Sequence, residues 1–435
     1  MKISHCIVGL AALAFAASTV VAQSAQRALQ LARQQVVSAN TVFACDLYAQ
    51  VKGAGGNLFF SPVNVSSALA MIYAGAKGDT AAQLQKALRL SASPALTHAG
   101  FAALLKRFDE ARRDVAGERD FAAEAVLARV DESRADDSVR LIMANSLWLQ
   151  WNAQAPLFKE YYEFARQYYG AEFAPADFAR AEPEARARIN QWAAGRTQDK
   201  IRNLASAPLA RETRMLLAGA AYFKGSWGRA FKPGDTFKAP FFAPDGSEAP
   251  ASLMRQRRVF KYAALSYCQL IELPYEKGGI SMLVVLPADK SAAGLALVEK
   301  VLSEKQIAGW RAQLNYADVQ VFLPKFAFEW GTISFAKALQ NLGIGDAFVA
   351  GKADFSGING TKNFVISDVI QKASVAVDES GSEASAAAPA AVAPVVSIAG
   401  TPRPPPVFRA DHAFLFFIQD NDTGSILFMG RVVKP

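Results

Sequence analysis

The sequence predicts one α+β domain, and three observations carry that expectation. Helical periodicity fills the first half of the chain, apolar strand-like runs dominate from Met215 onward, and no linker divides the two. At 435 residues, 51% hydrophobic and 20% charged, the chain has ample length for a sizeable core. No internal repeat interrupts it.

The start, MKISHCIVGLAALAFAASTVVAQ, has Lys2, an apolar run, and Val20-Val21-Ala22 before Gln23. Those are the regions of a secretory signal peptide, so the expected division is a signal over 1–22, cleaved after Ala22, and one domain over 23–435. A membrane anchor is the other reading, but Ser18 and Thr19 interrupt an already short apolar stretch. No later run is apolar and long enough to span a bilayer. The expected product is exported, secreted or periplasmic, with no membrane partner.

Ala28 to Val51 spaces Leu29, Ala32, Val36, Val37, Val42, Phe43 and Leu47 as one helix, broken near Ser38-Ala39-Asn40. Phe59-Phe60 reads as a short strand, Ser61-Pro62 as a helix start, and Val65 to Ala74 as a buried helix stopped by Gly75. Asp79-Thr80 has the residues of an N-cap. Residues 97 to 131 read as helical and charged, LIMANSLWLQ as an apolar strand, and RINQWAAGRTQDKI as a helix ending near Gly195.

MLLAGAAYFKGSW is apolar almost throughout, which suits a strand buried on both faces. CQLIELPY and ISMLVVLP are two strands joined by the Lys277-Gly278-Gly279 turn. VQVFLPKFAF alternates, SFAKALQNLGI is a helix stopped by Gly343, and FVISDVIQKASVAVD is a long strand. FLFFI and ILFMGRVV close the chain as strands.

Chemistry-bearing motifs are scarce. Beyond the signal lie two histidines, His98 and His412, and two cysteines, Cys45 and Cys268. The cysteines could bridge in an oxidising compartment or remain buried thiols. The sequence has no H-E-x-x-H, G-x-S-x-G, Gly-rich phosphate loop or paired C-x-x-C, so neither an enzyme, a metal site nor a cofactor is expected. Asp411-His412 reads as a loop closing onto FLFFI. The net charge of +8 is modest for this length. Between Lys106 and Arg140 basic and acidic residues alternate, as on a solvated helical face, and no nucleic-acid partner is expected.

One stretch remains: DESGSEASAAAPAAVAPVVSIAGTPRPPP, from Asp378 to Pro406. Its composition is that of an Ala/Pro linker, yet the chain beyond it is too short to be a domain. A segment held at both ends by strands of one domain is a long exposed loop, and such loops are usually functional. From Ser382 its side chains alternate as an extended strand would. One face carries Ser382, Ala384, Ala386, Ala388, Ala390 and Val392, and the other Glu383, Ser385, Ala387, Pro389 and Ala391. The first set could enter a sheet interior without carrying a large or charged group across it.

With these residues in view, the chain from Ala28 to Pro435 resembles a serpin. NLFFSPVNVSSALAMIYAGAKGDT, INQWAAGRTQDKI, AAYFKGSW, IELPY, LPKF, ESGSEASAAA and FRADHAFLFFIQDNDTGSILFMGRVVKP match family segments in the family's order. The resemblance implies three β-sheets, surrounding helices and a reactive loop over about 379–406. It implies a suicide-substrate inhibitor of serine proteases: the protease attacks the loop, forms an acyl-enzyme, and the cleaved loop inserts as a new strand of the main sheet. A non-inhibitory serpin, a carrier, chaperone or protease substrate whose loop does not insert, is the other reading; Pro389, which lacks an N–H, favours it.

The resemblance also implies roles for residues. Gly381, Ser382, Glu383, Ala384, Ser385, Ala386, Ala387 and Ala388 form the hinge, with Ala388 where threonine is usual. Lys325 and Glu379 pair beside Trp227 at the top of the main sheet, the breach. In the shutter beneath that sheet Ser61 is retained, but Asn64 replaces a serine, Gly219 an asparagine and Gln371 a histidine; a longer Asn64 amide could fill the space vacated at Gly219. The family's spacing from the hinge glycine puts the reactive bond at Val395-Val396, which suits an elastase-like protease, held as a covalent acyl complex. Counting back from Phe414 instead allows Ile398, Ala399, Thr401 or Arg403. The expected state is a monomer capable of loop–sheet polymerisation.

Overall fold

The computed structural model describes residues 3–91, 93–113, 139–151, 156–276, 279–382 and 404–435. Helix α1 (Ile3–Val51) leads into β1 (Leu58–Phe60), α2 (Pro62–Tyr73), α3 (Gly78–Ala87) and α4 (Pro94–Arg113). Then come β2 (Val139–Gln150), α5 (Lys159–Tyr169), β3 (Glu172–Ala176), α6 (Glu182–Arg196) and β4 (Met215–Ser226). Strands β5 (Phe237–Phe242), β6 (Glu248–Ala264), β7 (Cys268–Pro274) and β8 (Ile280–Pro287) follow. Next are α7 (Ala292–Val301), α8 (Glu304–Gln313), β9 (Asn315–Pro324), β10 (Phe326–Ser334), α9 (Ala336–Asn341) and α10 (Ser356–Asn359). Strands β11 (Ile366–Val377), β12 (Gly381–Ser382), β13 (Val407–Arg409), β14 (Phe414–Asp420) and β15 (Ile426–Val432) complete the order.

Hydrogen bonding groups these strands into two sheets. One has the order β10-β11-β4-β2-β3, with β12 on β4; the other runs β1-β15-β14-β8-β7-β6-β9-β13, with β5 on β6. The resemblance implied three. The long β6 explains the difference: it pairs with β5 and β9 through most of its length and then with β7 over Lys261–Ala264, joining two of the three into one ladder.

Strand β4 divides the core. Met215, Leu217, Ala221 and Phe223 face the main cluster with α2 and the nine-stranded sheet, whereas Leu216, Ala218, Ala220 and Tyr222 face a second cluster beneath α6. Every one of these side chains is buried. A strand sandwiched between two layers has no solvated face to mark with polar residues, which is why its sequence reads as one apolar run.

Two local expectations are corrected. Helix α1 continues through Ser38-Ala39-Asn40 because the polar side chains there find tertiary partners: Ser38 donates to Glu304, and Asn40 accepts from Ser66 at 2.8 Å. A polar pair that would favour a helix end in isolation is overridden by those contacts. Asp79 lies in the first turn of α3, not at its cap; Lys77 holds that position, and the Thr80 hydroxyl accepts from the Asp354 N–H instead. By contrast Ser61 caps α2, accepting from Asn64 N at 3.2 Å, with Pro62 in the first turn. The charged stretch expected as helix to 131 is helical to Arg113, and its remainder lies outside the described residues. Cys45 and Cys268 are buried free thiols whose pKa burial pushes up to about 12, so neither is poised to react.

His98 packs between α4 and α5 against Phe164 and Tyr168, with Nδ1 2.6 Å from the Tyr169 hydroxyl. Burial lowers its pKa to about 4 from 6.5. Between those values the unfolded chain binds the proton and the folded one resists it, so stability falls as pH drops from 6.5 towards 4. A tenfold difference in proton affinity between the two states is worth about 1.4 kcal/mol. In urea titrations across that window, His98→Gln is expected to lose less stability on acidification than the parent. Parallel curves would show that His98 does not drive the effect.

Candidate functional site: the seam of the six-stranded sheet

Strands β4 and β11 run parallel side by side, in register from Ile366↔Met215 to Ser374↔Tyr222. Above Tyr222 their pairing stops. There β12 lies antiparallel to β4, with Gly381 opposite Ser226 and Ser382 opposite Gly225. The chain reaches this position by reversing just past β11: Asp378 N donates to Gly381 O at 2.7 Å, and the Asp378 carboxylate accepts from Ser380 N at 2.8 Å. The first residues of the loop thus occupy the mouth of the seam. A Cβ at Gly381, where φ is +151°, would lie 2.0 Å from Gly225 O, so only glycine permits the approach.

Ser382 points inward. Its hydroxyl is fully buried and 2.8 Å from the Tyr275 hydroxyl, and the Tyr275 ring stacks on Trp227 at 4.7 Å. Trp227 in turn donates through Nε1 to Asp378 O at 3.0 Å, and its N–H to Ser380 O at 2.8 Å. Lys325 Nζ lies 2.6 Å from Glu379 Oε2, and the Thr236 hydroxyl donates to Oε1 at 2.8 Å. The turn 378–381 is therefore held by backbone, indole and ion pair together. Burial acts to raise the Glu379 carboxyl, but the hydrogen bonds from Lys325 and Thr236 outweigh it and hold the group below its ordinary range. Tyr275 and Thr236 carry no signal in the sequence as partners of this turn. They reach it from other elements.

Lower in the seam a buried polar row crosses the sheet. Asn145 of β2, Gly219 of β4 and Gln371 of β11 are register neighbours. Gln371 Oε1 accepts from Ser61 N at 3.0 Å, and its Nε2 donates to Ser61 O at 3.1 Å and to Asn64 Oδ1 at 2.7 Å. Asn64 Nδ2 donates to Ala144 O at 3.1 Å, and Asn145 Nδ2 donates to Asn64 O and to the Ser67 hydroxyl. The start of α2 thereby ties β11 to β2 beneath β4. A Cβ at Gly219 would fall 2.2 Å from Asn64 Oδ1, so the amide does occupy the room a side chain there would need. Sequence reasoning grouped Ser61, Asn64, Gly219 and Gln371 but missed Asn145 and Ser67, which only strand register brings in.

Of the hinge, Gly381 and Ser382 are described; Glu383 to Ala388 and the bond Val395-Val396 lie outside the described residues. Asp411 and His412 face each other, with Nδ1 3.0 Å from Oδ1. The other ring nitrogen meets Pro287 O at 2.8 Å, and Asp411 also binds Lys290 and Arg409. Both imidazole nitrogens are thus occupied by structural partners where the chain enters β14. Among the described residues no cluster of metal-ligating side chains occurs.

Gly219 and Asn64 should behave as a coupled pair. Gly219→Ala alone is expected to push Asn64 off Gln371 and cost on the order of 1–3 kcal/mol, the penalty for a broken buried hydrogen bond. With Asn64→Ser added, the double variant should lose clearly less than the sum of the two single variants in urea unfolding. Additive losses would show that the two positions do not share space.

The six-stranded sheet thus holds a parallel seam whose upper end is occupied by the first residues of a long loop. The family model "Serpin (serine protease inhibitor)" matches residues 38–435. Leukocyte elastase inhibitor A of Mus musculus is 35% identical over 411 residues, covering 92% of this chain and 100% of that protein. Serpin B9 of Homo sapiens is 35% identical over 384 residues, covering 87% and 93%. The crystal structure of Serpin48 from Tenebrio molitor is 28% identical with a TM-score of 0.73, covering 92% and 98%. The chain belongs to the serpin family.

Proposed function

We propose that this protein is an exported suicide-substrate inhibitor of an elastase-like serine protease. The observation that carries the reading is the antiparallel placement of Gly381 and Ser382 on β4 at the mouth of the seam. Continued at that register, Ala384 falls opposite Phe223, Ala386 opposite Ala221 and Ala388 opposite Gly219. These β4 positions face the main core. Glu383, Ser385 and Ala387 fall opposite Lys224, Tyr222 and Ala220, on the face beneath α6. The side chains that must cross the core are methyl groups, and an antiparallel strand there exchanges one parallel ladder for two antiparallel ones. Cleavage frees the loop to follow that track, carrying the acylated protease with it before water can deacylate it.

Several of the relatives are named as leukocyte elastase inhibitors, and the loop around Val395 offers small apolar residues to a protease pocket of that kind. The leader ending at Ala22 directs the chain out of the cytoplasm in this reading. The test is a gel. Incubation with an elastase-like protease is expected to yield a covalent complex that survives denaturant, and a released C-terminal fragment beginning at Val396 by mass spectrometry. Clean cleavage without a complex would favour the non-inhibitory reading, in which Pro389 stops insertion. A fragment beginning at Pro404 would overturn both the bond and the elastase assignment.

Ala384→Arg should convert the inhibitor into a substrate. The guanidinium would have to enter the core opposite Phe223, a buried charge without a partner. Insertion then slows and deacylation wins. A variant that traps protease as well as the parent does would show that Ala384 does not face inward.

A further inference from the structure

Of the chain's seven methionines, one is placed to meet an oxidant. Met1 lies outside the described residues, and Met71, Met215, Met254, Met282 and Met429 are wholly buried. Met143 alone among the described methionines is part-exposed, packed against the main core. The two cysteines beyond the leader do not compete for an oxidant. Thiols whose pKa burial pushes up to about 12 carry almost no thiolate, the form that reacts.

The Met143 sulfur also belongs to the polar row that crosses the seam. Met143 sits on β2 opposite Ala221 of β4, two residues before Asn145 and on the same face. The Ser61 hydroxyl donates to Sδ at 3.6 Å and accepts from Asn64 N at 3.2 Å. A hydroxyl has a single proton, so the sulfur takes the only one Ser61 can give. Through its backbone N–H and C=O, Ser61 holds both ends of the Gln371 amide. The thioether of β2 is therefore joined, through one serine, to the side chain that ties β11 to α2.

We propose that Met143 is an oxidation site, and that a peroxide acting there loosens the seam. The sulfur lone pair attacks one peroxide oxygen: an S–O bond forms and the O–O bond breaks. The proton of the transferred oxygen goes to the departing one, which leaves as water. Sulfur is oxidised to the sulfoxide and the peroxide is reduced. The product cannot keep the old contact. An O–H···O bond needs about 2.7 Å between its oxygens, and a sulfur 3.6 Å from Ser61 Oγ leaves no room for an oxygen between them. If the new oxygen turns outward instead, the sulfur it leaves behind bears partial positive charge and no longer accepts. Ser61 then either shifts or keeps an unpaired hydroxyl in the interior, and the strain reaches Gln371. The seam parts more readily, and the loop enters it uncleaved and out of a protease's reach. The site itself stands on the geometry of β2; its consequence for inhibition rests on the reading proposed above.

The test treats the full chain and its Met143→Leu variant, a change of similar volume, with hydrogen peroxide. Each protein is compared with its own untreated sample. Peptide mapping by mass spectrometry is expected to find sulfoxide at Met143 before any other described methionine. The treated parent should have a lower thermal midpoint. On standing it is expected to lose the capacity for covalent complex formation with an elastase-like protease at least about tenfold faster, the change that a barrier lower by about 1.4 kcal/mol gives. Treated Met143→Leu should keep the midpoint and the rate of loss of its untreated sample. First oxidation at another methionine overturns the proposal. So does Met143 sulfoxide with an unchanged midpoint and rate, or an equal loss in treated Met143→Leu. Failure of the inhibitory reading is separate: the untreated parent would form no complex, while the peptide map and the midpoint still decide the oxidation site.

Discussion

The structure depends on the parallel contact between β4 and β11. A parallel ladder in the centre of a sheet is an ordinary feature when crossover helices cover it. Here it lies between strands that pair antiparallel with their outer neighbours, β10 on one side and β2 on the other. Its upper end is already occupied by two residues of an antiparallel strand. The seam is closed by backbone hydrogen bonds along most of its length.

What keeps the seam closed is built from polar groups with nowhere else to go. Gly219 contributes no side chain to the buried row, so the network passes under β4 from Gln371 to Ser61 and Asn64 and on to Ala144 and Asn145. Parting β11 from β4 takes the Gln371 amide away from α2 and leaves both of its partners unsatisfied in the interior. Each such buried group left unpaired costs about 1–3 kcal/mol, more than the net gain from making one bond. The network therefore acts as a barrier to opening more than as a source of stability. At the mouth, the Lys325–Glu379 pair and the Trp227–Tyr275 stack hold the turn that aims the loop, so one end is poised while the middle is latched.

The sequence made part of this readable and hid the rest for physical reasons. β4 was visible because burial on both faces leaves a long apolar run without helical spacing. The Asn64–Gly219 exchange was visible because one residue gains the volume the other gives up. Asn145, Ser67, Tyr275 and Thr236 were not, because each acts through register or through a neighbouring element, and single-chain patterning carries no information on either. The misplaced break at Ser38-Ala39-Asn40 has the same origin. Those side chains suggest a helix end only until Glu304 and Ser66, far along the chain, supply partners. The join between two sheets through β6 likewise depends on where a strand of ordinary appearance changes neighbours.

In the proposed inhibitory mechanism, the demand that a strand pass into the seam also shapes what the loop cannot do. Even-numbered positions of the hinge must be small, because they enter a core already filled by Ala221, Phe223 and the Tyr275 ring packed against Phe223. The alternate face is less constrained, since it would meet α6, and there the sequence carries Glu383 beside Ser385, Ala387, Pro389 and Ala391. A segment selected for smooth passage is therefore stripped of the aromatic and guanidinium groups with which proteins usually recognise one another. Passage and recognition pull a single strand in opposite directions.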